Sequence, residues 1–325
     1  MKASIVIVNY NSADDTLECL DSLSKIDYPD YEIILADNAS SDASFVLNKI
    51  HKNFPAVKIL ALPSNLGFAG SNNAGIKAAL DGGARCVLLL NNDTTVAPDF
   101  LSQMVKAAES DKKIGIVGAK IYYFAEKNRI WYNGGVFSWI NGGRHIQDGA
   151  IDENPGDKEI RNTKYVTGCA LLIKKEAVEK IGLLCENFFM YYEDIEWSLR
   201  IRGAGYKTVV APAAHIWHKV SRSALKMGAP VIHYYNIRNA LILTKMRASA
   251  PAKALVYLWS AYHYAKQIIK LIMFRDRDSK HIARAIMRGI SDFYRGKYGK
   301  IDSKDLLLDN FSSRNEVILS EKSED

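Results

Sequence analysis

Cysteine is scarce. Four residues, Cys19, Cys86, Cys169 and Cys185, are spread over 325 positions with no Cys-x-x-Cys pair and no Cys/His cluster at zinc spacing. This argues against a disulfide framework or a zinc module and fits reduced core thiols in a cytosolic protein. Long apolar runs are also missing. No stretch stays uncharged long enough to predict a membrane-spanning helix, and Met1-Lys2-Ala3-Ser4 leads into a strand without the apolar region of a secretory leader. There is no dinucleotide fingerprint at the proper spacing, and no glycine-rich loop bearing Lys or Arg follows the first strand. No recognised nucleic-acid module accompanies the basic charge, so nucleic acid is not an expected partner. The chain is 48% hydrophobic with a net charge of +7, which is ample for the core of one large domain or two modest ones.

The chain is organised around Val87-Leu88-Leu89-Leu90-Asn91-Asn92-Asp93. Four large apolar residues between Gly82-Gly83 and Pro98 read as a buried strand whose exit is polar. Open α/β folds place ligands at that carboxyl edge, and a carboxylate there can hold a hard divalent cation. An Asx-rich turn that merely ends the strand explains the same three residues. Ser4–Val8, Tyr31–Ala36 and Val57–Ala61 read as earlier strands, with Asn9-Tyr10-Asn11, Asp37-Asn38 and Asn65 just beyond them. Helices follow each, the first carrying Leu17, Leu20 and Leu23 with Ser12 or Asp14 placed to cap it, the third running from about Ala74 to Leu80. This rhythm predicts an α/β fold with a mostly parallel, doubly wound sheet. The segment Asn65 to Asn73, with Gly67 and Gly70, reads as a loop that brings backbone amides to a phosphate or as a plain Gly/Asn turn.

Further on, Gly115–Lys120 reads as a strand, Tyr132–Gly143 as hairpins or a flap, and Lys164–Lys174 as a strand in which Gly168 permits close approach. Phe188-Phe189-Met190-Tyr191-Tyr192 precedes Glu193-Asp194 and a helical run to Arg202. Acids at a helix N-terminus behind aromatic residues suit either capping or a base of tunable strength. Tyr206–Pro212 reads as a strand, and His215 and His218 beyond it suit metal ligation or a satisfied core position.

Taken together, Val8-Asn9-Tyr10-Asn11, Asp37-Asn38-Ala39-Ser40-Ser41-Asp42, Asn65-Leu66-Gly67-Phe68-Ala69-Gly70, Asn91-Asn92-Asp93, Glu193-Asp194 and Trp217-His218 resemble the inverting family 2 glycosyltransferases of GT-A fold, especially the rhamnosyltransferase-like branch. The resemblance covers roughly residues 3 to 240. It implies a nucleotide-diphosphate sugar donor, UDP- or dTDP-linked, a divalent cation (Mn2+ or Mg2+), and a glycan or lipid-linked acceptor in cell-surface polysaccharide synthesis. On it, Asn9, Asn11, Asp37 and Asn38 line the base and ribose pocket, Asn65, Gly67 and Asn73 support the nucleotide, and Asn91 faces the ribose beside Asn92. Asp93 and His218 match the metal ligands, Gly168, Cys169 and Trp197 border the acceptor, and the Glu193–Asp194 pair holds the base, assigned to Asp194. One position departs from the motif: its first Asp is Asn91 here, which contributes no charge. A nucleotidyltransferase and a noncatalytic nucleotide-sugar-binding subunit are the rival readings.

The expected organisation is a catalytic domain over 1–245, divided near 115 into nucleotide and acceptor halves, then basic helices over 246–311 and a flexible tail from 312. Ala254–Phe274 mixes Leu255, Leu258, Ile269 and Ile272 with His263, Lys266 and Lys270, and Arg275, Arg277, Lys280, Arg284 and Arg288 follow. Such helices suit the cytoplasmic surface of an anionic membrane, or a pair packed on the domain with a solvated basic face.

Overall fold

The computed structural model describes residues 1–41, 43–220, 228–273 and 276–302, and side chains throughout these except at 44–46. The expected tail from 312, the loop at Ser221-Arg222-Ser223, Phe274 and Arg275 lie outside the described residues. The chain divides into two compact units, Met1–Val220 and Ser221–Asp325.

The first unit begins with the predicted alternation. Strands β1 (Ala3–Asn9), β2 (Tyr31–Asp37), β3 (Lys58–Ala61) and β4 (Cys86–Asn91) alternate with helices α1 (Ala13–Leu23), α2 (Ala43–Asn53) and α3 (Gly67–Asp81). The strands pair in parallel in the order β3-β2-β1-β4. β4 lies mid-sheet, and Cys86 to Leu90 are buried on both faces, which explains their unbroken apolar run. A short turn leads to β5 (Thr94–Val96), then α4 (Phe100–Glu109), β6 (Ile114–Tyr123), β7 (Ile130–Tyr132) and the hairpin β8 (Gly135–Ser138) with β9 (Gly142–His145). β10 (Arg161–Asn162), β11 (Ala170–Lys174), α5 (Lys175–Ile181), α6 (Glu193–Gly203) and β12 (Lys207–His218) complete the unit. β11 runs antiparallel between β4 and β6, and β12 runs parallel to β6, so a mixed half extends the parallel one.

Val6, Ile34, Ile76, Leu89, Leu171 and Ile201 share one buried core under α3 and α6. Burying each such side chain stabilises the fold by about 1.5–3 kcal/mol. Gly75 lets α3 approach β1 so closely that a Cβ there would overlap the Val6 side chain.

Three expectations are corrected. The Asn65–Asn73 stretch is not all loop: α3 starts at Gly67, because small residues let its first turns pack closely and Asn72 returns its Nδ2 to Phe68 O at 2.9 Å. Tyr165–Cys169 is an irregular approach ending in a turn, and β11 starts only at Ala170. β12 does not stop at Pro212. The proline falls where its register with β6 shifts between Ala211 and His215, a position that tolerates a missing N–H, and the strand continues to His218. Ser12 occupies the N-cap of α1 but makes no cap bond, its Oγ going to Asp15 Oδ2 at 3.0 Å.

The second unit holds α7 (Ala229–Arg247), α8 (Ala250–Met273) and α9 (Arg277–Tyr294). The boundary thus falls at 220 rather than 245, since α7 packs with α9: a Cβ on Gly289 would meet Ile237 at 2.6 Å and the Tyr234 carbonyl at 2.8 Å. Asp276 caps α9 through Asp278 and Ser279. Buried Arg238 lies beside the Tyr234 and Tyr235 rings and donates to Gly299 O at 2.7 Å.

Candidate active site

The polar ends of β1, β2 and β4 meet at one edge of the sheet. Asn9 is fully buried and makes an internal clamp: Nδ2 donates to Asp37 Oδ1 at 2.8 Å and Oδ1 accepts from Thr16 Oγ1 at 2.9 Å. The buried Asp37 carboxylate also accepts from Ser40 N and Oγ. Asn11, in the left-handed region at φ 51°, accepts Ser41 N at 2.8 Å. Asn38 donates to Asn65 Oδ1 at 3.0 Å and accepts Leu66 N at 2.8 Å, and Asn65 accepts Gly67 N at 2.9 Å. These residues form one linked frame, with Asn9 and Asp37 at its base and Asn11 at its exposed rim. Asn73 stands apart. Its amide clamps the backbone of Leu184 and Glu186 Oε1, so it positions the segment leading to α6.

Asp93 and His218 are 125 positions apart in sequence and adjacent in space. The turn after β4 carries Asp93, and β5 pairs antiparallel with β12, setting Thr94 opposite His218. His218 Nε2 lies 3.1 Å from Asp93 Oδ1, with both side chains buried. The contact is not an aligned hydrogen bond, so Asp93 Oδ1 has no hydrogen-bond partner among the described residues, and neither has His218 Nδ1 on the other side of the ring. Burial opposes a charge on His218, but the Cys169 sulfur and Asp93 outweigh it and push its pKa up to about 10. Trp131 packs edge-on against the imidazole with ring centres 4.5 Å apart. A buried carboxylate oxygen without a hydrogen-bond partner, facing an imidazole nitrogen, fits a divalent cation, which would take the place of the imidazolium proton. No three His, Cys, Asp or Glu side chains among the described residues gather into a complete metal site, so the protein would supply two ligands and leave the others open. Asn92 faces the other way, donating to Thr16 Oγ1 at 2.9 Å, while Asn91 ends β4 half-buried.

The Glu193–Asp194 pair opens α6 as expected. Asp194 is half-buried. Its Oδ2 accepts Gly168 N at 2.9 Å and its Oδ1 accepts Ile195 N at 2.7 Å. Burial pushes its carboxyl above the ordinary range despite these backbone donors. Burial, with the neighbouring Asp194 charge, pushes Glu193 well above its ordinary value, and Glu193 Oε2 has no hydrogen-bond partner among the described residues. The chain enters α6 through backbone that large side chains rarely adopt: Phe189, Tyr191 and Tyr192 have φ of 65°, 65° and 76°. Gly67 is needed beside it, because a Cβ there would overlap the Phe189 ring and carbonyl.

Gly168 and Cys169 join the two halves. Gly168 N holds Asp194 and Cys169 O accepts Asn91 N at 2.9 Å. A Cβ on Gly168 would sit 2.8 Å from the Phe68 ring. Trp197 is corrected: it is fully buried in the core with Nε1 on Gly182 O at 2.9 Å, out of reach of an acceptor. Sequence reasoning missed Trp131 and Phe68, which adjoin His218 and Gly168. It also missed Lys219, whose Nζ holds Asp15 at 2.7 Å while its backbone N donates to Asp93 O at 2.9 Å. The aromatic residues are ordinary strand and helix positions by pattern, and only strand pairing reveals their neighbours.

The glycosyl transferase family 2 model matches residues 4–182, more than half of the chain. The chain belongs to this family. Among curated relatives of this family 2 glycosyl transferase, an uncharacterised protein of Sinorhizobium fredii is 31% identical over 62% of the chain, which spans only 22% of that protein's length. A dTDP-rhamnosyl transferase of Shigella flexneri is 22% identical over 74% of the chain and 79% of its own length. An N-acetylglucosaminyl-diphospho-decaprenol L-rhamnosyltransferase of Mycobacterium tuberculosis is 26% identical over 67% and 76%. A mannosyltransferase of Pyrobaculum calidifontis, solved with GDP-Man and Mn2+, superposes with a TM-score of 0.55 at 16% identity, covering 91% of this chain and 88% of that one. The last likeness shows the shared GT-A fold.

Proposed function

We propose that this family 2 glycosyl transferase inverts a sugar, rhamnose or another hexose, as it moves it from a dTDP- or UDP-linked donor to a glycan or lipid-linked glycan in cell-surface polysaccharide synthesis. One observation carries this: the Gly168–Cys169 turn holds a half-buried carboxylate of raised pKa through Gly168 N and, through Cys169 O, the Asn91 backbone that leads to the Asp93–His218 pair. The frame from Asn9 to Asn65 supports the nucleoside side of the donor. Asp93 and His218 would hold a Mn2+ or Mg2+ ion, which when bound supplies positive charge to the leaving diphosphate. Asp194 takes the proton of the acceptor hydroxyl as that oxygen bonds to the anomeric carbon, and the bond to the diphosphate oxygen breaks on the opposite face. Every charge is accounted for: the proton goes to Asp194 and the electron pair leaves with the nucleoside diphosphate. Gly168 N and the start of α6 favour ionised Asp194 while burial opposes it, giving a base stronger than a surface aspartate. The relatives named for rhamnosyl transfer support the donor sugar, and a nucleotide-linked donor supports a cytosolic location.

Calorimetric titration of UDP, dTDP and GDP, each with and without Mn2+, tests the donor site. Binding of a uridine or thymidine diphosphate that requires the cation supports the reading. Binding of none of them removes it.

A further inference from the structure

The outward face of α8 is apolar and its inward face partly polar, the reverse of an ordinary surface helix. Thirteen of its positions are exposed and only one of them, Lys266, is charged. Leu258, Ile272 and Met273 are 72%, 79% and 73% exposed, and Leu255, Tyr262 and Ile269 stand more than half open beside them. At 3.6 residues per turn these six form one stripe, about 27 Å long at 1.5 Å per residue. Of the three buried positions, Ser260 and Gln267 are polar, and Ser260 Oγ shares a hydrogen bond with Tyr294 Oη at 2.9 Å.

A bilayer surface, a second copy of the chain and the groove of another protein could each cover such a stripe, and charge separates them. Between Gly228 and Asp302 there are fourteen lysines and arginines against four aspartates and no glutamate, whereas the whole chain carries only +7. Arg277, Arg284 and Arg295 are exposed. A second copy would bring a unit of the same sign against this one, while anionic headgroups bring the opposite sign. The helix does not cross the bilayer: no helix among the described residues is long and apolar enough. An apolar stripe bordered by Lys266 and Lys270 suits a helix lying flat at the boundary between headgroups and acyl chains. We infer that α8 docks this protein on the surface of an anionic membrane through Leu255, Leu258, Tyr262, Ile269, Ile272 and Met273. The inference does not rest on the transfer reaction, and its test contains no sugar or nucleotide.

The test is flotation of the full chain with phosphatidylcholine vesicles and with vesicles containing about one third phosphatidylglycerol. The chain is expected to float with the anionic vesicles, to do so less as salt rises, and to lose about tenfold or more in partitioning in a Leu258→Glu/Ile272→Glu variant. Both side chains are exposed, so the variant keeps its circular dichroism spectrum and melting temperature. No flotation, equal flotation with neutral vesicles, or flotation unchanged in the variant each overturns the inference. A dimer seen by light scattering without vesicles and lost in the variant also overturns it, assigning the stripe to a second copy.

Discussion

Two neighbouring acids with different surroundings invite different roles. Asp194 accepts two backbone N–H groups, whereas Glu193 Oε2 has no hydrogen-bond partner among the described residues and burial favours its neutral form. Glu193→Gln keeps an uncharged group of the same shape there, and transfer is expected to stay within a few-fold of the wild type. Asp194→Asn removes the proposed base and should cost about a thousandfold in kcat while nucleoside diphosphate binding persists. Retained turnover in Asp194→Asn, measured by donor consumption with acceptor present, would refute the assignment. The sign of the stability change follows from the raised pKa. A buried acid whose pKa rises on folding binds its proton more tightly in the folded state, so its ionised form destabilises the fold as pH rises past the unfolded value. The asparagine variant lacks that ionisation but turns an amide NH2 toward one of the two backbone donors, so by scanning calorimetry its melting temperature should be lower than, and vary less with pH than, that of the wild type. For the same reason kcat/KM should rise with pH through a pKa above the ordinary aspartate value of about 3.9, and that limb should vanish in the variant.

Among the elements, the Gly168–Cys169 turn is the tightest constraint. A Gly168→Ala methyl would lie 2.8 Å from the Phe68 ring and 3.7 Å from Asp194 Cβ. The ring must shift, so the variant is expected to lose about 1–3 kcal/mol of stability, and its kcat should fall because the same turn holds Asp194 and the Asn91 backbone. Normal kcat in a folded Gly168→Ala protein would separate the turn from the chemistry. The turn also shows what could be read in the sequence. β4 and its Asn-Asn-Asp exit were legible because a strand buried on both faces has an unbroken apolar run. The start of α6 at Glu193 was legible from helical period and acids at the N-terminus. The start of α3 at Gly67 was not, since two glycines and paired asparagines oppose helix by propensity and only packing against Phe189 and Val6 reverses that preference. Nor was the passage of β12 through Pro212, which depends on a register shift against β6. Trp197 shows the converse error: a tryptophan beside the base looked like an acceptor platform, and three residues along a helix was enough to turn it into the core.

Across the whole molecule, the two units divide the properties. Every residue from Asn9 to His218 in the candidate site lies in Met1–Val220, and the apolar stripe of α8 lies in Ser221–Asp325. A ligand that binds only the folded form stabilises it by about 2.7 kcal/mol at one hundred times its dissociation constant. For a unit of this size, each kcal/mol moves the melting point by about 2–4 °C, so UDP or dTDP with Mn2+ should raise it by roughly 5–10 °C. Asp93→Ala removes one of the two proposed cation ligands, and a chelator removes the cation itself, so either should abolish most of the shift. Leu258→Glu/Ile272→Glu changes only exposed positions on α8, so its nucleotide-induced shift should equal that of the wild type. A scanning fluorimetry series over these proteins, with and without nucleotide, Mn2+ and chelator, decides the matter. If the α8 variant lost the shift, donor binding would depend on the second unit; if Asp93→Ala kept it, the cation would be held elsewhere.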